Sequence, residues 1–136
     1  MRVVIDTNVL VSALLVEGSV PDQVVRLVLA NRSTWLVDSR IVAEYRAVLA
    51  RSELRLPSAE VERILDVVDA DAVWVIASPL DLTLPDETDR PFLEVAIAGG
   101  ADALITGNER HFRPRQGRLD IAVLTPRKFL DRFAGR

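Results

Sequence analysis

At 136 residues, with 49% hydrophobic and 27% charged residues, the chain has the size and balance of one compact globular domain, which excludes a disordered, collagen-like or coiled-coil protein. It has no cysteine, a single histidine (His111) and a single lysine (Lys128) that follows no G-x-x-x-x-G-K; disulfides, thiolate chemistry, cysteine-ligated metals, an HExxH metal face and a P-loop are thereby excluded. The formal net charge of −3 hides a split, since residues 1–106 hold 9 bases against 17 acids and residues 107–136 hold 8 bases against 3 acids.

Val3-Val4-Ile5 is a short β-branched apolar run, the pattern of a strand buried on both faces, and it stops at Asp6-Thr7-Asn8, which is helix-capping chemistry. Because Asp6 interrupts the apolar stretch so early, neither a membrane span nor a signal peptide is expected, and the chain reads as cytoplasmic. Val9, Leu10, Ala13 and Leu14 follow at helical spacing, and Gly18-Ser19 breaks the pattern. Pro21 to Ala30 predicts a second helix and Thr34 to Val37 a second strand. Asp38 or Ser39 can cap a third helix carrying Ile41, Val42, Tyr45, Val48 and Leu49, and Ser58 to Val68 reads as a fourth with Ser58 at its N-cap. Ala72 to Ile76 predicts a third strand, residues 78–88 a polar loop, Phe92 to Ala98 a helix ended by Gly99-Gly100, and Ala103-Leu104-Ile105 a fourth strand. Ile121 to Leu124 completes the strands before a helix from Pro126.

Strands separated by helices imply right-handed βαβ crossovers, hence an α/β fold: a single three-layer α/β/α sandwich over residues 1–136 with a mainly parallel sheet. Ligands in such sheets gather outside the carboxyl ends of the strands, which draws attention first to Asp6. Asp89, at a helix start and preceded by Asp86 and Glu87, is placed to converge on it, and Glu44 lies one to two turns into the third helix. Thr106-Gly107-Asn108 occupies the same edge after strand four, the glycine being read as a point of close backbone approach, whereas Asp102 begins that strand and belongs at the opposite edge. Carboxylates gathered within a few ångströms repel, and with no soft ligands the remedy is a hard divalent cation such as Mg2+ or Mn2+. The alternative for Asp6 and Asp89 is plain helix capping, and for Glu44 one exposed helical acid among several.

The opening Val3-Val4-Ile5-Asp6-Thr7-Asn8-Val9-Leu10, Ser39 with Glu44 five residues on, Asp89 with Phe92-Leu93-Glu94-Val95-Ala96, and Ala101 to Asn108 together resemble the PIN-domain family. The order Asp, Glu, Asp, then Thr-Gly-Asn-x-x-His-Phe is most similar to the VapC-like branch, toxins of toxin–antitoxin pairs. The resemblance implies a metal-dependent endoribonuclease with Asp6, Glu44 and Asp89 as catalytic acids. Those three with Asp86 are expected to hold Mg2+ or Mn2+, and Thr7, Asn8, Thr106, Asn108, Arg110, His111 and Arg113 to line the RNA. A small antitoxin and a homodimer are the implied partners, with no membrane involved.

The family's fuller pattern has a fourth acid after the Thr-Gly pair, where this chain has Asn108 and, later, His111. His111 is expected to serve structure or substrate in preference to metal, with Asp86 and Glu94 as possible substitutes for the acid, although Glu94 lies about one and a half turns past Asp89 and should point elsewhere. The basic run Arg110, Arg113, Arg115 and Arg118 is suited to a phosphate backbone, or is a solvated loop. A non-catalytic RNA-binding or regulatory module is the alternative to an enzyme; a phosphatase using Asp6 as nucleophile fits poorly, since it calls for a lysine on a later strand.

Overall fold

The computed structural model describes residues 1–30, 33–113 and 120–133. Its strands are β1 (Arg2–Ile5), β2 (Thr34–Val37), β3 (Val73–Trp74), β4 (Ala103–Ile105) and β5 (Val123–Leu124). Its helices are α1 (Thr7–Leu15), α2 (Val20–Ala30), α3 (Ser39–Leu49), α4 (Ser58–Asp71), α5 (Arg90–Ala98) and α6 (Pro126–Phe133), with single 3-10 turns at Ser52–Leu54, Glu87–Asp89 and Glu109–Phe112.

The five strands form one parallel sheet in the order β3-β2-β1-β4-β5 with helices packed on it, the expected α/β/α sandwich. Val3, Val4 and Ile5 pair with Ala103, Leu104 and Ile105, and all six residues are fully buried, as a central parallel pair must be. From β1 the chain builds outward through β2 to β3, then crosses back to place β4 on β1's other side. That reversal opens a crevice between the carboxyl ends of β1 and β4, the place where doubly wound sheets take ligands. Asp6 and Thr106 are the first residues past those two ends, and Asp6 N–H still donates to Ile105 O at 2.9 Å.

Packing fixes the helices that deliver the remaining acids. Tyr45, fully buried on α3, donates its hydroxyl to the Ile5 carbonyl and accepts from Trp35 Nε1 at 3.3 Å, which ties α3 to the end of β1. On α5, Arg90 donates to the Leu80 and Leu82 carbonyls, and Glu94 accepts from Leu80 N–H and from Arg40, so two charged residues hold the loop that leads to Asp86. Gly99 and Gly100 end α5 for different reasons: a Cβ on Gly99 would stand 2.7 Å from Leu36 Cδ1, and Gly100 has φ +62°.

Several local expectations change. Asp38 caps α3 through Ile41 N–H, and Ser58 is the first residue of α4 with Pro57 before it, so Ser58 makes no cap. β3 is two residues long where the apolar run suggested five. It is an edge strand, and Trp74 and Ile76 are 51% and 97% exposed. Gly107 is not a point of tight approach, because a Cβ there would meet Asn8 at an ordinary 3.5 Å. Arg115 and Arg118 lie outside the described residues.

Candidate metal centre

Asp6 occupies the N-cap position of α1 and Asp89 that of α5, yet neither side chain makes a capping hydrogen bond. The capping alternative therefore does not account for either acid. Asp6, 5% exposed, instead accepts from Thr106 Oγ1 at 2.7 Å, and Thr106 Oγ1 accepts from Asn108 N–H at 3.0 Å. Glu44 accepts from Thr7 Oγ1 on the neighbouring α1. Asn8 Oδ1 accepts Gly107 N–H at 3.1 Å, so the segments after β1 and β4 are stitched together across the crevice.

The electrostatics show that the three acids share one field. Burial pushes the Asp6 carboxyl from an ordinary 3.8 up to about 6; the Thr106 hydroxyl pulls it down, and the charges of Asp89 and Glu44 push it up again. Asp89 is likewise raised, first by burial and then by Asp86, with His111 opposing. Oδ2 of Asp89 is enclosed, and His111 Nδ1 stands 3.1 Å from it, an ion pair when the imidazole is protonated. With His111 as the one neighbour among the described residues that answers its charge, and only when protonated, this enclosed carboxylate amid mutually repelling acids belongs to a donor set that fits a divalent ion with oxygen ligands.

Asp86 stands at the mouth of this group in the turn before α5. Its Oδ1 accepts from Thr88 N–H and Oγ1, and those bonds hold its carboxyl below the usual range. Potential ligand atoms of Asp86, Asp89 and His111 all lie within 4.8 Å of one another. Glu94 is buried but spent on Arg40 at 2.8 Å and Leu80 N–H at 2.9 Å, away from the acidic group. Asp102 accepts Arg2 N–H at 2.8 Å at the opposite sheet edge. Arg110 and Arg113 are exposed on and just after the 3-10 turn that carries His111, and neither forms an ion pair among the described residues.

Sequence reasoning missed Tyr45 as the residue that fixes Glu44's helix to β1, having read it only as core. A tyrosine on the apolar face of a helix carries a hydroxyl that needs a buried partner, which is the signal available. It also missed that one 3-10 turn brings His111 back against Asp89, 22 positions earlier.

Fold and site together define a parallel α/β/α protein with an acidic, cation-compatible centre at the switch point of its sheet. The chain belongs to the PIN-domain family, whose model matches residues 2–110, and PIN domains are as a rule nucleases. It is also similar to "Uncharacterized protein MJ1680" of Methanocaldococcus jannaschii, at 27% identity over 143 residues, covering 98% of this chain and 92% of that protein.

Proposed function

We propose that the chain is a single PIN nuclease domain that hydrolyses RNA phosphodiesters with Mg2+ or Mn2+ and acts as the toxin of a toxin–antitoxin pair in the cytoplasm. What supports the nuclease reading is the charge coupling of buried Asp6 at the β1–β4 crevice to Asp89 and Glu44, with Asp89 Oδ2 accepting no hydrogen bond among the described residues. Asp6, Glu44 and Asp89 would hold the ion, and Asp86 would join them from the loop. When bound, the ion supplies Lewis-acid polarisation of the phosphoryl oxygen and makes a water acidic enough to attack at neutral pH.

The chain's own groups orient this chemistry. Thr106 Oγ1 holds Asp6 Oδ2, Thr7 Oγ1 holds Glu44, and Asn8 fixes the Gly107 backbone, so the carboxylates are positioned before any ligand arrives. Thr7, Asn8, Thr106 and Asn108 surround the reacting phosphate, while Arg110, His111 and Arg113 receive the strand beside it. Hydrolysis by water leaves a 5′-phosphate and a 3′-hydroxyl, whereas attack by the ribose 2′-OH would leave a cyclic phosphate.

The toxin reading rests on the Asp, Glu, Asp and Thr-Gly-Asn-x-x-His-Phe order. It gains a place for a partner in the mixed groove where Leu14 and Leu29 sit among the charged Asp22, Arg26, Glu60 and Arg63, which suits an antitoxin segment or a second copy. Incubating purified protein with single-stranded RNA and Mg2+ or Mn2+, with and without chelator, tests the nuclease. Chelator-sensitive cleavage with 5′-phosphate ends, lost in Asp6→Asn and Asp89→Asn, is expected; cleavage that survives both substitutions would exclude this site. Co-expression with the neighbouring small gene, read by growth and by size-exclusion mass, tests the toxin and dimer assignments separately.

A further inference from the structure

Glu94 is a buried acid that the cation centre does not use. It sits on α5, 4% exposed, and both its oxygens are taken: Oε1 by Arg40 Nη1 at 2.8 Å and Oε2 by Leu80 N–H at 2.9 Å. Arg40 is shared with a second carboxylate. Its Nε and Nη2 reach Asp38 Oδ2 at 2.9 and 2.8 Å, while Asp38 Oδ1 caps α3 by accepting Ile41 N–H at 3.0 Å. Arg90, one turn before Glu94, donates to the Leu80 carbonyl at 2.9 Å and to Glu87 at 2.6 Å. The start of α3, the body of α5 and the 78–88 loop thus meet at one charged junction.

We propose that Arg40 and Glu94 are positioning residues, whose ion pair sets α3 against α5 so that Glu44 and Asp89 can serve one ion with Asp6, and whose tie to Leu80 sets the loop that carries Asp86. The inference rests on the metal-nuclease reading above and adds to it the pair that fixes the spacing of the acids. Such a pair is a poor source of stability, because a buried carboxylate gives up its hydration and neutral side chains of similar shape often hold a fold as well or better. What the arginine fork does supply is direction, since each N–H bonds along a fixed line. The junction also lies close to what it governs. Glu44 is one turn past Arg40 on the same face of α3, about 6 Å along the axis, and Asp89 precedes Glu94 on α5 by about 7.5 Å. Mg2+ demands near-octahedral oxygens at about 2.0–2.1 Å, and a site held less closely than about 0.5 Å loses its productive geometry. A slip of one helix against the other therefore costs ion affinity before it costs folding.

The test separates geometry from stability in the full-length protein. Arg40→Met combined with Glu94→Gln removes both charges of the pair and keeps an acceptor for Leu80 N–H. Its denaturant midpoint should stay near that of wild type while Mg2+ affinity, measured by calorimetry on metal-free protein, falls about tenfold. Glu94→Gln alone, the milder change should the double variant fold poorly, is expected to move Mg2+ affinity in the same direction. Arg40→Lys keeps the charge without the fork and should recover only part of the affinity. Arg46→Met, which breaks the surface pair with Asp69 on the same helix, should leave it unchanged. RNA cleavage by the double variant should fall at limiting Mg2+ and return as Mg2+ is raised, as a displaced ligand set requires. Mg2+ affinity in the double variant and in Glu94→Gln equal to wild type overturns the proposal, as does a loss no larger than that of Arg46→Met or one matched by a falling midpoint. A wild type that takes up no Mg2+ overturns the metal reading itself and the proposal with it, so the two failures are told apart.

Discussion

Thr106 Oγ1, 100 residues along the chain from Asp6, donates a 2.7 Å hydrogen bond to Asp6 Oδ2 across the β1–β4 crevice. It is the largest influence drawing the Asp6 carboxyl down against burial, so Thr106 keeps a buried acid usable. Thr106→Val keeps the shape and removes the donor, stranding a buried acceptor. The expected cost is about 1–3 kcal/mol of stability, with Mg2+ needed at higher concentration for the same melting shift. Paired denaturant and Mg2+ titrations decide it, and an unchanged Mg2+ requirement would remove Thr106 from the site.

Asp6 itself should destabilise the metal-free fold at neutral pH. A carboxyl whose folded pKa is raised above its unfolded value binds protons better in the folded state, so it costs no stability below about 3.8, costs more as pH rises, and exerts its full penalty above about 6. A rise from 3.8 to about 6 corresponds to about 3 kcal/mol as an upper figure. Asp6→Asn, which can still accept from Thr106, is therefore expected to melt higher than metal-free wild type at pH 7.5 and to lose that advantage near pH 4. Saturating Mg2+ should narrow the gap at pH 7.5 by stabilising wild type alone. A variant less stable than wild type across the whole pH range would show that burial of the charge is not the dominant effect.

Tyr45 joins α3 to β1 by donating to the Ile5 carbonyl, one residue before Asp6, and it adjoins Glu44 in sequence. Tyr45→Phe leaves the ring in place but strands both the Ile5 carbonyl and Trp35 Nε1. A loss of about 1–3 kcal/mol follows from unpaired buried groups, and Glu44 should be set less firmly against Thr7. Denaturation midpoints measure the first effect. A weaker Mg2+ isotherm measures the second, and a variant that loses stability with full Mg2+ affinity would make Tyr45 purely structural.

How much of this was legible in the sequence depends on the range of the interaction. Val3–Ile5 and Ala103–Ile105 announce a central parallel pair because strands covered on both faces have no polar alternation, and the switch point then follows from topology. Asp6 and Asp89 were thus readable as neighbours from strand and helix ends alone. The apolar run from Ala72 to Ile76 misled because hydrophobicity does not tell a central strand from an edge, and only Val73 and Trp74 pair. His111 was read as a group for structure or substrate, and Glu94 as a possible spare acid. Their placements depend on a single 3-10 turn and on Arg40 from another helix, tertiary facts with no local signature.

The last expectation concerns grip on RNA. Arg110 lies in the turn that holds His111 and Arg113 just after it, both exposed, in the segment whose bases outnumber its acids 8 to 3. Lys128 is spent on Glu109 at 3.0 Å, so it contributes less to that field than the bare count suggests. Phosphate contacts release counterions, and each one on a single strand steepens the fall of log affinity against log salt by about 0.7. Replacing both arginines by alanine should flatten the slope by about 1.4 and weaken binding to all sequences alike, because phosphate contacts carry no base information. Binding measured on catalytically silent Asp6→Asn protein, across a salt series and two unrelated RNAs, makes the comparison without substrate loss. An unchanged slope would place the RNA elsewhere, and a change confined to one RNA would mean that these arginines read bases.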